Sequence, residues 1–174
     1  MRIIDKIPEV IQKHKKEYSL IEEEFNKQNE KYKSFLHRDH DFIGRILKYH
    51  LITEYYINEY LANKFPEIEF NSIELRYYQK LSLLPERDYR VEFVKNGLKE
   101  LNKLRNRFSH TLDVKVDLKD LVEMKTVLSI TRKEKKYQKP LDVIEDFTTV
   151  ACTFLIVSPK EINDLFTKLF KELT

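Results

Sequence analysis

The sequence predicts an all-α fold, an up-and-down bundle of about six or seven helices with a long antiparallel pair at its centre. Apolar residues recur at helical spacing along most of the chain. Only two glycines occur in 174 residues, too few for a fold with many tight hairpins. Proline and capping residues mark the ends of the periodic segments. With 41% hydrophobic residues, we expect a single helical domain over residues 1–174.

Two long helices are predicted in the first third of the chain. Apolar positions from Val10 to Tyr32, with Pro8 in a first helical turn, predict a helix over residues 8–33. After Asp41, an apolar stripe from Ile43 to Leu61 predicts a second helix. It ends before Pro66, because a residue that precedes proline avoids the α region. This second helix is the best candidate for the centre of the bundle.

Three further helices are predicted over residues 71–132. Asn71 as the cap, with Glu74 three residues later, predicts a short helix that ends before Pro85. Asp88 caps a longer helix whose inward face ends at Phe108 and whose one weak point is Gly97. Asp117 begins the third, which ends in the charged segment 132–136, a solvated connector.

The remaining segments predict two more elements. Residues 140–157 have helical spacing at Leu141, Ile144 and Phe147, although their Val, Thr and Ile content leaves a strand open for the second half. Ser158 as a cap and Pro159 at the first helical position predict a last helix that closes the chain.

The composition argues against several classes of protein. The net charge is +3, from 32 basic and 29 acidic residues, so any basic site must be local. No glycine-rich phosphate-binding signature is present. The apolar run 150–157 is far shorter than the roughly 20 residues that span a bilayer, and no signal-peptide core is present, so we expect a cytoplasmic protein without a membrane partner. Cys152, the single cysteine, lies in that run and predicts a buried thiol in a reducing compartment.

The end of the helix that follows Asp88 carries the strongest functional signal, the sequence Arg105-Asn106-Arg107-Phe108-Ser109-His110. An imidazole moves protons near neutral pH, and a guanidinium holds a phosphate oxygen through parallel donors. This pair is what cleavage of a phosphodiester needs without a metal, so the sequence predicts neither a metal nor a cofactor.

The spacing of this motif poses a geometric problem. In an unbroken helix, Arg105 and His110 are separated by about 140° and a rise of about 7.5 Å, so we do not expect both to face one substrate. Either the helix breaks near Ser109, or two copies of the motif meet across a two-fold axis. A histidine at a helix C-terminus is also favoured in its protonated form, which suits it to donate a proton to a leaving 5′-oxygen.

The motif resembles that of the higher-eukaryote-and-prokaryote nucleotide-binding (HEPN) superfamily, whose ribonucleases carry an arginine, four to six residues and a histidine. The likeness covers roughly residues 38–157, including the helix around residues 50–61, with the terminal helices packed on this core. It implies a homodimer with two motifs in one cleft and a metal-independent endoribonuclease for single-stranded or loop RNA. Arg105 would stabilise the pentavalent phosphate, His110 would be the general base or acid, and Asn106 would orient the histidine or the phosphate.

The resemblance also implies a biological setting, the toxin of a toxin–antitoxin or phage-defence system with an antitoxin protein as a possible partner. Members paired with a nucleotidyltransferase antitoxin continue His-x-Tyr, whereas this chain has Leu112 at that position. Control by nucleotidylation at that position is therefore in doubt, and a different partner or none is equally compatible with the sequence.

Other candidate residues have weaker patterns. Lys103 and Arg107 are candidates for drawing RNA toward the cleft, or belong to a solvated face. His50 and Glu54, one turn apart, form either a satisfied core pair or a support for the site. Two pairs of tyrosines are candidates for stacking on bases or for places in the core and interfaces. They are Tyr55 with Tyr56 and Tyr77 with Tyr78.

Two further features concern metal binding and a second possible function. His37 and His40 flank Asp39, but no further Cys/His cluster completes a metal site. The nearly neutral charge and the lack of a second motif keep an alternative open, a non-catalytic helical module that binds RNA, a nucleotide or a protein.

Overall fold

A computed structural model describes residues 3–36, 40–70, 72–110, 114–156, 164–165 and 168. All regular structure in these ranges is helical, with seven α-helices and two 3₁₀ turns, which confirms the predicted all-α class. The chain divides into two compact units at the boundary between Asp39 and His40. In the described ranges, no helix combines the length and the apolar character that crossing a membrane requires.

The first unit contains a 3₁₀ turn, Ile3–Lys6, and two helices, α1 (Ile7–Lys13) and α2 (Lys15–Leu36). The single helix predicted over residues 8–33 is wrong, because His14 leaves the helical region with φ −115° and ψ 41°. Pro8 lies in the first turn of α1, as predicted. No side chain of α1 is buried, and α2 exposes Ile21 and Phe25.

The second unit contains five helices around one core. These are α3 (His40–Lys64), α4 (Tyr77–Leu83), α5 (Tyr89–His110), α6 (Val122–Thr131) and α7 (Pro140–Leu155). Helix α3 packs on α5 and α7, α6 packs on α5 and α7, and α4 lies against α3 and α5. Large fully buried side chains from all five helices fill the space between them, among them Ile57, Leu81, Leu98, Leu101, Met124, Leu128, Ile144 and Phe147.

The start of α4 differs from the prediction. Residues 72–76 are not helical, and α4 begins at Tyr77, with Arg76 at its N-cap. The reason is local hydrogen bonding: Gln79 Oε1 accepts the backbone N–H of Arg76 at 2.8 Å, and Ser72 Oγ donates to the carbonyl of Glu69 at 2.7 Å. The serine therefore closes the preceding turn instead of leading into a helix. The predicted cap, Asn71, lies outside the described residues.

Helix α5 begins and ends as predicted. Asp88 Oδ1 accepts the backbone N–H of Arg90 at 3.2 Å, which satisfies an N-terminal donor. Gly97 is more than a weak point, because it is buried and a Cβ there would lie 2.3 Å from the ring of Phe147. The missing side chain lets α7 approach α5 closely.

The last predicted elements are mostly confirmed. Asp117 precedes a 3₁₀ turn, Leu118–Asp120, and α6 follows it. Residues 140–155 form a helix, so the strand alternative is wrong there. Cys152 is buried, as predicted, and burial raises the pKa of its thiol to about 11. The predicted start of the last helix, Ser158, lies outside the described residues. Of the residues that follow, 164, 165 and 168 are described, and they are helical.

Candidate functional site

A cleft of about 920 Å³ lies between α3, α4 and the C-terminal half of α5, and we call it the polar cleft. Its volume is at the upper end of the range for small-ligand sites. Helix α5 contributes Asn102, Arg105, Asn106 and His110 to its lining. The three residues predicted to be catalytic therefore face one cavity within a single chain.

Helix α5 does not break at Ser109, so the first of the two solutions to the spacing problem is not used. Ser109 Oγ donates to the carbonyl of Arg105 at 3.2 Å, one turn earlier, and the helix continues to His110. At about 100° per residue, Asn102 and Asn106 project between Arg105 and His110 on an arc of about 140°. The polar cleft follows this arc, so an unbroken helix presents both residues to one cavity, contrary to the expectation from spacing.

The guanidinium of Arg105 has little bonding within the protein. Its Nη1 donates to Asn106 Oδ1 at 3.3 Å, and no carboxylate in the described part of the chain forms an ion pair with it. Asn106 and His110 are exposed at the cleft. Arg105 therefore keeps donors for an anionic ligand, and the imidazole of His110 is accessible beside them.

The α3 wall of the cleft is built on a buried histidine. His50 is 6% exposed, its Nε2 lies 3.2 Å from Asn102 Oδ1, and its ring centroid is 4.0 Å from that of Tyr77. Because an amide oxygen only accepts, Nε2–H is the donor. Burial lowers the pKa of His50 despite the opposing effects of Asn102 and Glu54, which favours the neutral form of the imidazole. It positions Asn102 on α5.

The core pair of His50 and Glu54, one of the two alternatives from the sequence, does not form. Glu54 Oε1 lies 2.6 Å from Lys80 Nζ on α4, and the ammonium group is nearly buried. Both Glu54 and His50 line the polar cleft, and their role in supporting the site stays a prediction. The carboxylate of Glu54 is neutralised by an ion pair that links α3 to α4.

The α4 wall carries residues that the sequence did not single out together. Arg76 and Tyr78 line the cleft, and Tyr78 is 61% exposed, whereas Tyr77 is buried with its hydroxyl 2.9 Å from Thr53 Oγ1. Tyr55, on α3, is exposed away from the cleft lining. No local pattern marks Arg76, because its position depends on how α4 packs against α3 and α5.

Lys103 and Arg107, predicted to bind RNA, lie elsewhere. Both line a separate groove of about 430 Å³ between α5 and α6. Arg107 Nη2 donates to the carbonyl of Lys115 at 3.0 Å, and its Nη1 lies 3.6 Å from Asp120 Oδ2. The structure does not bring these two side chains to the polar cleft.

The segment His37–His40 carries no described side chains. Within the part of the chain that the structure describes, no three His, Cys, Asp or Glu side chains group in a way that could hold a metal ion.

The described structure defines a class of protein, an all-α bundle with a polar cleft at the C-terminal end of a central helix. Comparison of the chain with protein-family models, curated proteins and solved structures finds no match. The functional argument therefore depends on the cleft itself.

Proposed function

We propose that the protein is a metal-independent endoribonuclease of HEPN type that cleaves single-stranded or loop RNA. The observation that carries this proposal is the convergence of Arg105, Asn106 and His110 on one polar cleft. A permanent cation that pairs with no carboxylate of the described chain is suited to bind a phosphate, and an accessible imidazole beside it is suited to transfer a proton.

The proposed reaction is an internal transfer at phosphorus. The 2′-hydroxyl of the RNA loses its proton, its oxygen bonds to phosphorus, the bond from phosphorus to the 5′-oxygen breaks, and that oxygen takes up a proton. The products are a 2′,3′-cyclic phosphate and a 5′-hydroxyl. Arg105 stabilises the charge on the pentavalent phosphate, His110 moves one of the protons, and Asn106 orients the phosphate or the imidazole.

The reaction needs one group that takes a proton and one that supplies it. His50 is buried and hydrogen-bonded to Asn102, so His110 is the accessible imidazole of the cleft in the described chain. A homodimer in which two polar clefts meet would supply a second His110. We therefore include dimerisation in the proposal, together with the cytoplasm as the compartment and an antitoxin or phage-defence partner as the regulator.

The test uses purified protein and a labelled single-stranded RNA, with and without EDTA. We expect cleavage that survives chelation, products that end in a 2′,3′-cyclic phosphate, and a loss of about 100- to 10,000-fold in rate for His110→Ala. His14→Ala serves as the matched control, because His14 lies in the other unit and does not line the cleft. Full activity in His110→Ala, or complete loss on chelation, contradicts the proposed mechanism.

The alternative, a non-catalytic module that binds RNA, a nucleotide or a protein, is favoured by one observation. The polar cleft of one chain presents a single accessible imidazole among the described residues, which is not an acid–base pair. This alternative predicts RNA binding that depends on Arg105 without cleavage at any protein concentration, whereas the ribonuclease predicts a rate that rises with dimer formation.

A further inference from the structure

The α4 wall of the polar cleft carries an aromatic ring and a guanidinium that the proposed reaction does not use. Tyr78 is 61% exposed and Arg76 lies two residues before it, and both line the same cleft as Arg105 and His110. Exposed aromatic and cationic side chains are the two components from which proteins build sites for single-stranded nucleic acids.

The ring of Tyr78 is not part of the buried core of the bundle. Its neighbour Tyr77 is buried against His50 and bonded to Thr53, whereas Tyr78 contacts no other ring among the described residues. Its face is therefore available to a planar ligand at the cleft.

The guanidinium of Arg76 is likewise uncommitted. No described carboxylate forms an ion pair with it. The hydrogen bonds of Arg76 within the described structure are made by its backbone, whose N–H donates to Gln79 Oε1 and whose carbonyl accepts from the N–H of Lys80. The cleft holds two carboxylates, of which Glu54 is neutralised by Lys80. The other carboxylate, Glu74, repels a phosphate. The guanidinium of Arg76 is the cation on the α4 wall that can attract a phosphate.

We propose that Arg76 and Tyr78 form a nucleotide-binding subsite, in which one unpaired base of the RNA stacks on Tyr78 and an adjacent phosphate binds Arg76. The proposal rests on the ribonuclease function for the place of the scissile phosphate at Arg105. The cleft volume of about 920 Å³ exceeds what a single phosphate requires and leaves space for a nucleotide beside it.

The subsite explains a preference for unpaired RNA. A base in a duplex has both faces covered by its neighbours, so it stacks on a side chain only after it leaves the helix. A base in a loop or a single strand is available without this cost. In this proposal, the α4 wall gives the preference for unpaired RNA, and the residues of α5 carry out the cleavage.

The first test measures binding of a short fluorescent single-stranded RNA by anisotropy, in a His110→Ala background that prevents cleavage. We expect Tyr78→Ala to weaken binding about 5- to 150-fold and Tyr78→Phe to retain it, because the ring supplies the stacking. Tyr55→Ala is the matched control, since Tyr55 is 59% exposed but does not line the cleft.

The second test identifies the ring's partner with RNAs that lack one base at successive positions. At one position, removal of the base weakens binding to the parent protein, and Tyr78→Ala then causes no further loss, as a double-mutant cycle requires for a direct contact. Additive losses at every position overturn the stacking contact.

The third test concerns Arg76. A phosphate contact on a single strand contributes about 0.7 to the slope of log affinity against log salt concentration, so Arg76→Gln should reduce the slope by that amount. Arg87→Gln, at an exposed arginine outside the cleft, should leave the slope unchanged.

The outcomes separate this subsite from the ribonuclease proposal. Binding with these signatures but without cleavage by the unmodified protein supports the subsite and contradicts the ribonuclease. Cleavage together with unchanged binding in Tyr78→Ala and Arg76→Gln overturns the subsite alone. The absence of any RNA binding overturns the subsite as well.

Discussion

Arg105 and Arg107 lie two residues apart on α5 and have opposite surroundings. The Arg107 guanidinium is hydrogen-bonded to the Lys115 carbonyl and lies near the Asp120 carboxylate, whereas that of Arg105 has, among the described residues, only the side chain of Asn106 as a partner. Residues two apart project to opposite sides of a helix. The difference shows that proximity in sequence to a catalytic motif is a poor guide to function, and that the helix face decides which cation is left for a ligand.

The same division extends along α5. On the face toward α6, Glu100 accepts the backbone N–H groups of Met124 at 3.0 Å and Glu123 at 3.3 Å, the donors at the start of α6. On the cleft face, Asn102 is held by His50. One face therefore joins helices to each other, and the other arranges polar groups around a cavity.

The largest expected effect separates the two arginines by activity. Arg105→Ala should lower kcat/KM for RNA cleavage by about 100- to 1,000-fold, the loss typical of one donor to a developing anion. Arg107→Ala should change it by less than about threefold, because its guanidinium is bonded within the protein. Initial rates on one RNA substrate measure both, and equal losses would remove the distinction between the faces.

A second prediction separates the faces by stability. Glu100→Ala should lower the free energy of unfolding by about 1–2 kcal/mol, since it removes the acceptor for two N-terminal donors of α6. Urea denaturation measures the change. Asn106→Ala, on the exposed cleft face, is the control and should stay within about 0.5 kcal/mol of the parent.

A third prediction concerns pH and His50. The pKa of His50 is lowered in the folded protein, chiefly by burial, so its contribution to stability is complete above its ordinary pKa of about 6.5. That contribution is lost as the pH falls through the folded value, because the unfolded chain then binds more protons. We expect the unfolding free energy to fall below pH 6.5 less steeply in His50→Gln than in the parent. Identical pH profiles would contradict a buried neutral imidazole.

The smallest expected effect tests the bonding of Arg107. Arg107→Ala should lower the free energy of unfolding by about 0.2–1 kcal/mol, because its partners are at the surface. Arg105→Ala should lower it by less, since no described carboxylate pairs with Arg105. Parallel urea titrations of the two variants show which one loses more unfolding free energy. A larger loss for Arg105→Ala would indicate that the role of Arg105 is structural.

Local features of the fold were accessible from the sequence. The apolar stripe of α3, its end before Pro66 and the Asp88 cap of α5 all depend on residues within a few turns of one another. The start of α4 could not be predicted in this way, because its N-terminus is capped by the side chain of Gln79, which lies inside the helix. The partner of His50 could not be predicted either. Glu54 lies one turn away in the sequence and is the obvious candidate, whereas the observed partner, Asn102, is 52 residues away.

Part of the candidate site was accessible in the same way. Arg105, Asn106 and His110 share the polar cleft, and their roles in catalysis stay predictions. Helical periodicity alone places Lys103 and Arg107 on the opposite face from Arg105, and it places Asn102 beside it. The α4 wall could not be found by periodicity, because only tertiary packing brings Arg76 and Tyr78 to the cleft.

The carboxylate of Glu100 has a consequence for the order of assembly. Helix α6 has ten residues, too few to persist alone in water, and no side-chain cap from its own N-cap residue, Leu121. Its first turn is complete only when α5 has docked. Amide hydrogen exchange at Met124 should therefore report the docking of α5, and a peptide that contains α6 alone should be largely unstructured.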